Sequence, residues 1–215
     1  MGPAGSGKGT VATRILDHFD MRHLSCGDFI RAHIRDNTDM GRQAREFTKK
    51  GELVPDDLIA KIMTEEIKKQ HNQNWLLDGF PRTEKQAALL DSLDPPDSVI
   101  DLDVPFSVIV DRLTKRWIHA PSGRVYNLDF SPPKQPGLDD VTGELLTQRE
   151  DDKPEVIKQR LQGYHAWESK LADYYSKQNK LHRFSGRETN VIWPVVYKYL
   201  AQHLPPKQEM KTYMK

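Results

Sequence analysis

The chain has 215 residues, 37% of them hydrophobic and 29% charged, a composition typical of a globular protein with one main core. Basic and acidic residues nearly cancel, 32 against 31, which argues against nucleic acid or an anionic membrane as a partner. No apolar run approaches the ~20 residues of a membrane span. The single cysteine, Cys26, excludes an intrachain disulfide and indicates a reducing compartment.

Apolar residues recur alternately at helix and strand spacing along the chain. In chain order we predict a helix directly after the first glycines, a helix after Pro55, strands at 75–77 and 99–104, a helix from 105 to about 117, a long helix across 157–175, a strand at 181–184 and a helix from about 192 to 204. Such alternation predicts an α/β fold with a mostly parallel sheet and helices on both faces.

Two stretches break this alternation and are expected to be insertions. Residues 26–54 have a helical pattern without a strong apolar strand, whereas 118–152 are rich in Pro, Gly and Asp and predict turns and short strands. The polar tail, 205–215, is expected to be frayed.

Residues 2–10, GPAGSGKGT, contain the strongest local motif. Closely spaced glycines let several backbone N–H groups point at one centre, where they and a helix N-terminus can hold phosphate oxygens. Lys8 adds a mobile positive charge. Because Gly9 stands where the strict phosphate-loop pattern has Ser or Thr, a simple glycine-rich turn before an ordinary helix is the alternative.

A buried strand normally leads into such a loop, and only Met1 precedes Gly2 here. That strand would lie at the centre of the parallel sheet, and its loss would leave unpaired backbone groups on two neighbours. We therefore expect a shortened sequence with reduced stability.

A second motif, LDGFPRT at 77–83, follows the apolar run at 75–77. Asp78 at the end of a strand suits metal-water or phosphate chemistry, and Arg82 offers a planar fork to a second phosphate. Thr83 and Gln86 have the spacing of a helix capping box, a role that Gln86 could combine with ligand binding.

Together, GxGKGT at 5–10, DGFPRT at 78–83 and QREDD at 148–152 make the chain resemble the adenylate kinase family, in its long-lid form and most like the mitochondrial GTP:AMP phosphotransferase branch. The resemblance implies a P-loop NTPase three-layer fold with a helical insertion that binds the monophosphate and a lid. It implies these bounds: core 1–24, monophosphate-binding insertion 25–54, core 55–114, lid 115–152, and core with C-terminal tail 153–215.

The resemblance also implies three sets of site residues. The donor nucleotide set is Gly5, Ser6, Gly7, Lys8, Gly9, Thr10, Arg112, Arg116, Val125, Tyr126 and Thr189. The AMP set is Cys26, Arg31, Glu52, Leu53, Val54, Gly79, Phe80, Pro81, Arg82, Gln86, Arg149 and Arg160. The catalytic set is Lys8, Asp78, Arg82, Arg116, Arg149 and Arg160.

The lysine and arginine side chains of these sets fit a reaction between two phosphorylated nucleotides. They would offset the repulsion between the phosphates and follow charge as it moves in the transition state, so neither a covalent nucleophile nor a strong general base is required. Arg112 and Arg116, four residues apart, are expected on one helix face. Mg²⁺ should arrive with the triphosphate and meet the protein through waters near Asp78 and Asp151. Any single arginine, taken alone, could instead be a solvated surface charge.

In the lid, Asp151 and Asp152 match the family's lid-closing acidic pair. His119, Ser122, Asp139 and Thr142 have the spacing at which many relatives place zinc-binding cysteines. Because the lid has no cysteine, we expect no structural zinc and a hydrogen-bonded polar set in its place. Four unrelated loop residues are the alternative.

Two departures from the family pattern bear on the site. Pro3 and Ala4 stand in the reverse of the usual order, which could shift the loop. Cys26 stands where relatives carry Ser or Thr; at a helix N-terminus its pKa is expected to fall, which would make the enzyme sensitive to oxidants. A small residue that is simply tolerated is the alternative for Cys26.

The predicted activity is reversible transfer of a phosphoryl group from GTP or ATP to AMP, by a monomer in the mitochondrial matrix or the cytoplasm. The loop at 185–190 resembles the GTP branch, although Arg187 departs from it. One alternative is a weakly active or non-catalytic nucleotide sensor that acts through a partner; the presence of Arg149 favours catalysis. The other is a P-loop kinase with a different acceptor, such as CMP.

Overall fold

The structure, a computed structural model, describes residues 1–69 and 73–207, apart from the side chains of 165 and 166. The helices are α1 Lys8–His18, α2 Cys26–Arg35, α3 Asp39–Lys50, α4 Asp56–Lys68, α5 Glu84–Leu93, α6 Phe106–Thr114, α7 Pro154–Ser176 and α8 Thr189–Leu200, with a short 3₁₀ turn at Glu150–Asp152. The strands are β1 Arg22–Ser25, β2 Trp75–Asp78, β3 Val99–Asp103, β4 Arg116–Ile118, β5 Val125–Asn127 and β6 Leu181–Ser185.

Two pairs of parallel strands form the centre of the fold, as the alternation of strands and helices predicted. β1 pairs with β2 and places His23 opposite Leu76. β3 pairs with β6 and places Asp101 opposite Arg183. None of the helices within 1–69 and 73–207 is long and apolar enough to cross a membrane.

Met1 lies beside β3, on the side away from β6. Its backbone oxygen accepts from the Leu102 N–H at 3.2 Å, and its ammonium group donates to the Ile100 carbonyl. This is the hydrogen-bond pattern of a residue in a strand parallel to β3. β2 and β3 do not pair with each other in the described chain, and all four residues of β2 are half-buried, although the sequence predicted a buried strand there.

The two larger of three apolar cores flank the paired strands. One joins α1, α6, α7 and α8 to β3, with Ile15, Leu113 and Val196 at most 2% exposed. The other joins α2, α4 and α5 to β1. The helix predicted after Pro55 is confirmed as α4, and its buried apolar residues form one stripe: Leu58, Ile59, Ile62, Met63 and Ile67.

α2 and α3 form a tightly packed pair within 26–54. Ser25 and Thr38 cap the two helices, since their hydroxyl oxygens accept from backbone N–H groups three residues later. A Cβ atom on the buried Gly41 would lie 2.0 Å from the His33 carbonyl oxygen, so no larger residue fits between the helices. The same backbone contact fixes the distance between α2 and α3.

Several predicted boundaries were wrong. α6 ends at Thr114, because residues 116–118 pair antiparallel with β5; Arg116 therefore does not share a helix face with Arg112. α8 begins at Thr189 and ends at Leu200, earlier than predicted at both ends. β1 was not predicted, since Leu24 is its only strongly apolar residue.

The prediction of a frayed tail was wrong for residues 205–207, the part of the tail that the structure describes. Lys207 is attached to the core, because its backbone N–H donates to the His18 carbonyl at 2.7 Å and its ammonium to the Leu16 carbonyl at 2.6 Å. Residues 208–215 lie outside the described part of the chain.

The edges of β2 and β3 generate the first prediction. An extension of five or six Val and Ile residues ahead of Met1 should raise the melting temperature, because it would pair with both edges and bury their half-exposed side chains. Differential scanning calorimetry of the extended and original chains measures this. The control is a Gly/Ser extension of equal length, and equal melting temperatures for all three chains would contradict the prediction.

Candidate active site

The first glycines form a tight loop that leads into α1. Gly2, Gly5 and Gly7 have positive φ angles of 126°, 81° and 91°, a region that favours glycine. A Cβ atom on Gly7 would lie 2.7 Å from Thr189 Oγ1, so the loop and the start of α8 are in close contact. Among the described residues no side chain caps the N-terminus of α1, which leaves its first N–H groups open to an anion.

Lys8 points its ammonium group back into this loop. It donates to the carbonyl oxygens of Gly2 and Pro3, each at 2.6 Å. Burial lowers the pKa of Lys8 to about 8; Asp78 opposes that shift and Arg82 adds to it. Lys8, Asp78 and Arg82 are therefore close enough to act on one another electrostatically.

Three arginines converge on the 3₁₀ turn at 150–152. Arg149 makes a two-pronged ion pair with Asp151, at 2.9 Å for each bond. Arg116 Nε donates to Asp152 Oδ2 at 2.7 Å. Arg160 Nη1 lies 2.9 Å from Asp151 Oδ2 and 3.3 Å from Asp152 Oδ1, so it bridges the two carboxylates.

The electrostatics of this cluster favour added negative charge. Burial raises the pKa of Asp151, but Arg149 and Arg160 outweigh burial and lower that pKa to about 2. Burial lowers the pKa of Arg160 to about 10; Asp151 opposes this, while Arg149 and Arg116 reinforce it. Since three guanidinium groups face two carboxylates, one positive charge is left uncompensated within the cluster.

Arg31 reaches the same region from α2. It forms an ion pair with Asp28, one turn earlier on the helix. Burial and the nearby Arg149 lower the pKa of Arg31, while Asp28 and Asp151 raise it. The coupling to Arg149 places α2 of the 26–54 segment next to the end of the lid.

Arg112 lies beside the glycine loop, with Nη1 3.4 Å from the Gly5 carbonyl oxygen. Its Nη2 donates to the Arg187 carbonyl at 2.8 Å, and its guanidinium carbon lies 4.9 Å from the centroid of the Phe130 ring. Asn127 holds this contact in place, because its side chain donates to the Arg112 carbonyl and accepts from the Phe130 N–H. A flat cation and an aromatic ring here could lie against a planar base.

The segment that follows α3 lies directly against α7. Gly51 ends α3 with a φ of 72°, and a Cβ atom on it would lie 2.8 Å from Val156 Cγ1 and 3.0 Å from Arg160 Cγ. Residues 52–54 are therefore next to Arg160, with Val54 buried and Glu52 exposed.

Arg82 and Gln86 are joined at the start of α5. Arg82 Nε donates to the Gly79 carbonyl at 2.8 Å, and its backbone N–H donates to Gln86 Oε1 at 2.7 Å. Thr83 caps α5 as predicted, since its oxygen accepts from the Gln86 N–H. The capping box differs in its second bond, because Gln86 accepts from Arg82 and not from Thr83.

The pKa expected for Cys26 was wrong in direction. The thiol is 3% exposed, and burial raises its pKa to about 11, against the opposing effect of Arg82. Desolvation outweighs the position at the start of α2, so the thiol is protonated at neutral pH. A protonated, buried thiol lacks the thiolate character that an oxidant sensor requires.

The structure brings almost all of the predicted nucleotide residues to one cleft, which is also lined by residues of the 26–54 and 115–152 segments. Ser6 is the exception, because its side chain lies under the loop, and a Cβ on Gly2 would lie 2.8 Å from its oxygen. Val125 is exposed. The Tyr126 side chain points into the lid, where its hydroxyl donates to Asp139 at 2.8 Å, so only the Tyr126 backbone remains for a nucleotide.

The predicted polar set of the lid is hydrogen-bonded. His119 Nδ1 lies 2.7 Å from Ser122 Oγ, and Thr142 Oγ1 donates to Asp139 Oδ2 at 3.0 Å. Arg124 joins the two pairs. It donates two hydrogen bonds to the Asp139 carboxylate, at 2.8 and 2.6 Å, and its Nη2 lies 3.3 Å from His119 Nδ1.

The neighbours of His119 determine its tautomer. Arg124 can only donate, so Nδ1 of His119 accepts and Nε2 carries the proton. Nε2 then donates to Glu144 Oε2, 2.5 Å away. Within 1–69 and 73–207, no group of three or more His, Cys, Asp or Glu side chains is arranged to hold a metal ion.

Several residues of these networks were missed from the sequence. Arg124 and Glu144 complete the lid set, Asp28 holds Arg31, and Phe130 contacts Arg112. Arg124 lies two residues from Ser122 and Glu144 two from Thr142, and that proximity was the available signal. Phe130, an exposed aromatic residue in a polar segment, was the other signal.

The lid set generates the second prediction. Asp139→Asn should lower the melting temperature by several degrees and speed proteolysis within 115–152, because Arg124 would lose its ionic partner. Hydrogen bonds from Arg124, with Thr142 and Tyr126 adding to them, hold the pKa of Asp139 well below its ordinary value of 3.8. The stabilisation is therefore present above pH 4 and is lost as the pH falls below that value.

Melting temperatures of the two proteins at pH 7 and pH 3 test this prediction. The gap between them should narrow at pH 3. Asp140→Asn is the matched control, because Asp140 is exposed and an Asn there can still accept from the Lys134 N–H. A gap that is the same at both pH values would contradict the ionic origin of the stabilisation.

The chain is similar to known phosphotransferases over most of its length. Residues 1–180 match the family model "Adenylate kinase". The chain is 46% identical over 204 residues to "GTP:AMP phosphotransferase, mitochondrial" of Drosophila melanogaster, covering 95% of this chain and 94% of that protein. It is 43% identical to the Saccharomyces cerevisiae protein of the same name, over 90% of this chain and 87% of that protein. "Adenylate kinase" of Sodalis glossinidius is 45% identical over 180 residues, 83% of this chain and 84% of that protein.

A glycine loop with an uncapped helix N-terminus, a lysine beside it and converging arginines suit an enzyme that transfers phosphoryl groups between nucleotides. Together with the family match and these identities, they show that the chain belongs to the adenylate kinase family, P-loop enzymes that phosphorylate nucleoside monophosphates.

Proposed function

We propose that the enzyme transfers the terminal phosphoryl group of GTP or ATP to AMP, reversibly, giving ADP together with GDP or ADP. The observation that carries the proposal is the meeting of cations from separate parts of the chain. Arg82, Arg116 and Arg160 lie close enough to Lys8 to lower its pKa. Arg149 likewise lies close enough to Arg31 to lower the pKa of Arg31. The relatives named GTP:AMP phosphotransferase support this choice of donor and acceptor.

The chemistry needs positioning and charge more than it needs a reacting side chain. An AMP phosphate oxygen is already anionic and can attack the terminal phosphorus directly. Lys8 would leave the carbonyls of Gly2 and Pro3 and follow the transferring group. Arg116, Arg149 and Arg160 would exchange part of their carboxylate contacts for phosphate oxygens, which holds donor and acceptor in line.

The two nucleotides bind at different ends of the cleft in this proposal. The glycine loop, Arg112 and Thr189 form the donor end, where Arg112 lies over Phe130. Arg31, Arg82 and the segment 52–54 form the acceptor end. The domain bounds given above, with 25–54 as the monophosphate-binding insertion and 115–152 as the lid, belong to this proposal.

Mg²⁺ would accompany the triphosphate and reduce the charge on its phosphates. The carboxylate of Asp78 suits a hard cation, because it is an oxygen ligand at the carboxyl end of β2 and lines the same cleft as the glycine loop. It would hold the ion through waters, because Gly9 supplies no hydroxyl ligand. Asp151 fits less well, since Arg149 and Arg160 occupy its oxygens. The names of the relatives support a mitochondrial location.

A coupled assay of each donor with each acceptor tests the proposed function. GTP and ATP should each be tried with AMP, CMP and GMP, with release of the diphosphates as the readout. AMP should be the preferred acceptor. Binding of both nucleotides without measurable turnover would favour the nucleotide sensor instead, and preference for CMP would favour a different acceptor class.

The third prediction separates the two ends of the cleft. Lys8→Met should lower kcat about 10²–10³-fold, because it removes a charge that follows the transferring group. Arg82→Ala should both raise KM for AMP and lower kcat, and should leave KM for the triphosphate nearly unchanged. Arg42→Ala is the control, because Arg42 lies on α3 with a half-exposed side chain bound to Asn37 and Asp39. Unchanged turnover in Lys8→Met would contradict the mechanism.

The fourth prediction concerns the pKa of Lys8, about 8 without nucleotide. An anionic triphosphate stabilises the ammonium form and raises this pKa, so binding at pH 8.5 should take up part of a proton. At pH 6.5 the group is already charged, and uptake by Lys8 should be close to zero. Calorimetry with a non-hydrolysable triphosphate, in buffers of different ionisation enthalpy, measures the uptake. Lys8→Met is the reference, and equal uptake in both proteins would refute the assignment.

A further inference from the structure

Gln86 is a buried amide with a partner at each end. Its side chain is 3% exposed. Oε1 accepts from the Arg82 backbone N–H at 2.7 Å, and Nε2 donates to Asp56 Oδ1 at 2.7 Å. Because a backbone N–H can only donate and a carboxylate can only accept, these partners determine which end of the amide is oxygen and which is nitrogen.

Asp56 is itself held in place by two elements. It is the first residue of α4, where the positive end of the helix favours a carboxylate. The Thr83 hydroxyl lies 3.2 and 3.1 Å from its two oxygens, and Thr83 also caps α5. Asp56 thus joins the N-termini of α4 and α5 and presents an oxygen to Gln86 at a set position.

Among residues 1–69 and 73–207, these are the hydrogen bonds of the Gln86 side chain, which leave one acceptor site on Oε1 and one hydrogen on Nε2 for a ligand. A base edge that donates to Oε1 and accepts from Nε2 is complementary to this pair. The 6-amino group and N1 of adenine have that pattern, whereas the 6-oxo group and protonated N1 of hypoxanthine or guanine have the reverse. The amide would have to turn over to read a 6-oxopurine in the same place.

Turning the amide over would cost two repulsive contacts. Its NH₂ group would face the Arg82 N–H, and its oxygen would face the Asp56 carboxylate. A site built to make such hydrogen bonds discriminates strongly against an analogue that cannot make them, since buried polar groups are left unpaired.

We propose that Asp56 is a positioning residue that fixes the orientation of the Gln86 amide and so selects a 6-aminopurine monophosphate over a 6-oxopurine monophosphate as acceptor. The inference rests on the proposed function, and it takes Gln86, a member of the AMP set that lines the cleft beside Arg82, to lie at the acceptor base. Asp56 acts through Gln86, and it need not touch the nucleotide itself.

The fifth prediction, on Asp56→Asn, tests the inference. An Asn at 56 can donate as well as accept, so it removes one of the two contacts that oppose a turned amide. The ratio of kcat/KM for AMP to that for IMP should fall at least about tenfold, the effect of losing one such contact. KM for AMP should rise, while KM for the triphosphate stays the same. IMP is the matched probe, because its base differs from adenine only at the 6-position and N1.

Two further variants separate positioning from general loosening. Asp57→Asn removes the same charge from the next residue, whose exposed carboxylate pairs with Lys85 at 2.8 Å, and should keep the wild-type ratio. Asp56→Glu keeps a group that can only accept, and should retain most of the discrimination.

Each outcome bears on one of the two proposals. A wild-type enzyme that transfers phosphoryl groups to AMP and IMP equally well would overturn the inference, and this comparison needs no variant. So would Asp56→Asn with the wild-type ratio, or with equal losses for AMP and IMP and a lower melting temperature. A wild-type chain that does not phosphorylate AMP would instead overturn the proposed function.

Discussion

The site depends on keeping like charges together before any nucleotide is bound. Arg116, Arg149 and Arg160 converge from the start of β4, the end of the lid and α7, and would repel one another in a poorly hydrated cleft. Asp151 and Asp152 prevent this by pairing with all three. Because a carboxylate has nearly the same fork of oxygens as a phosphate, the ion pairs that hold these arginines together also suit the cluster to a phosphate.

The rest of the fold serves this arrangement. Asp78, at the end of β2, lies close enough to the glycine loop to act on Lys8, and close contact at Gly51 brings residues 52–54 against α7. The lid keeps its shape through a network centred on Asp139, without the cysteines that a zinc site would use. Networks of this kind are well suited to a lid, since polar contacts fix its internal geometry without a large apolar core.

Much of this could be read from the sequence, and the failures have physical reasons. Glycine loops and apolar stripes are local signals, so α1, α4 and α7 were predicted correctly. The end of α6 was not, because antiparallel pairing with β5 decides it and that partner is remote in sequence. The pKa of Cys26 was misjudged for a similar reason: its helix position is local, whereas its burial comes from tertiary packing. Which carboxylates neutralise which arginines also could not be read from spacing.

The close packing at Gly41 limits how α2 and α3 can move relative to each other. With backbone touching backbone between α2 and α3, the two helices cannot slide or spread relative to each other without breaking that contact. A rotation of both helices as one rigid piece, about the points near Ser25 and Pro55 where the chain enters and leaves them, would keep that contact, but it would open the contact between Gly51 and α7. Such a rotation would carry Arg31, which lies on α2, and would leave Arg82, which is bonded to Gly79 and Gln86 outside the pair, in place.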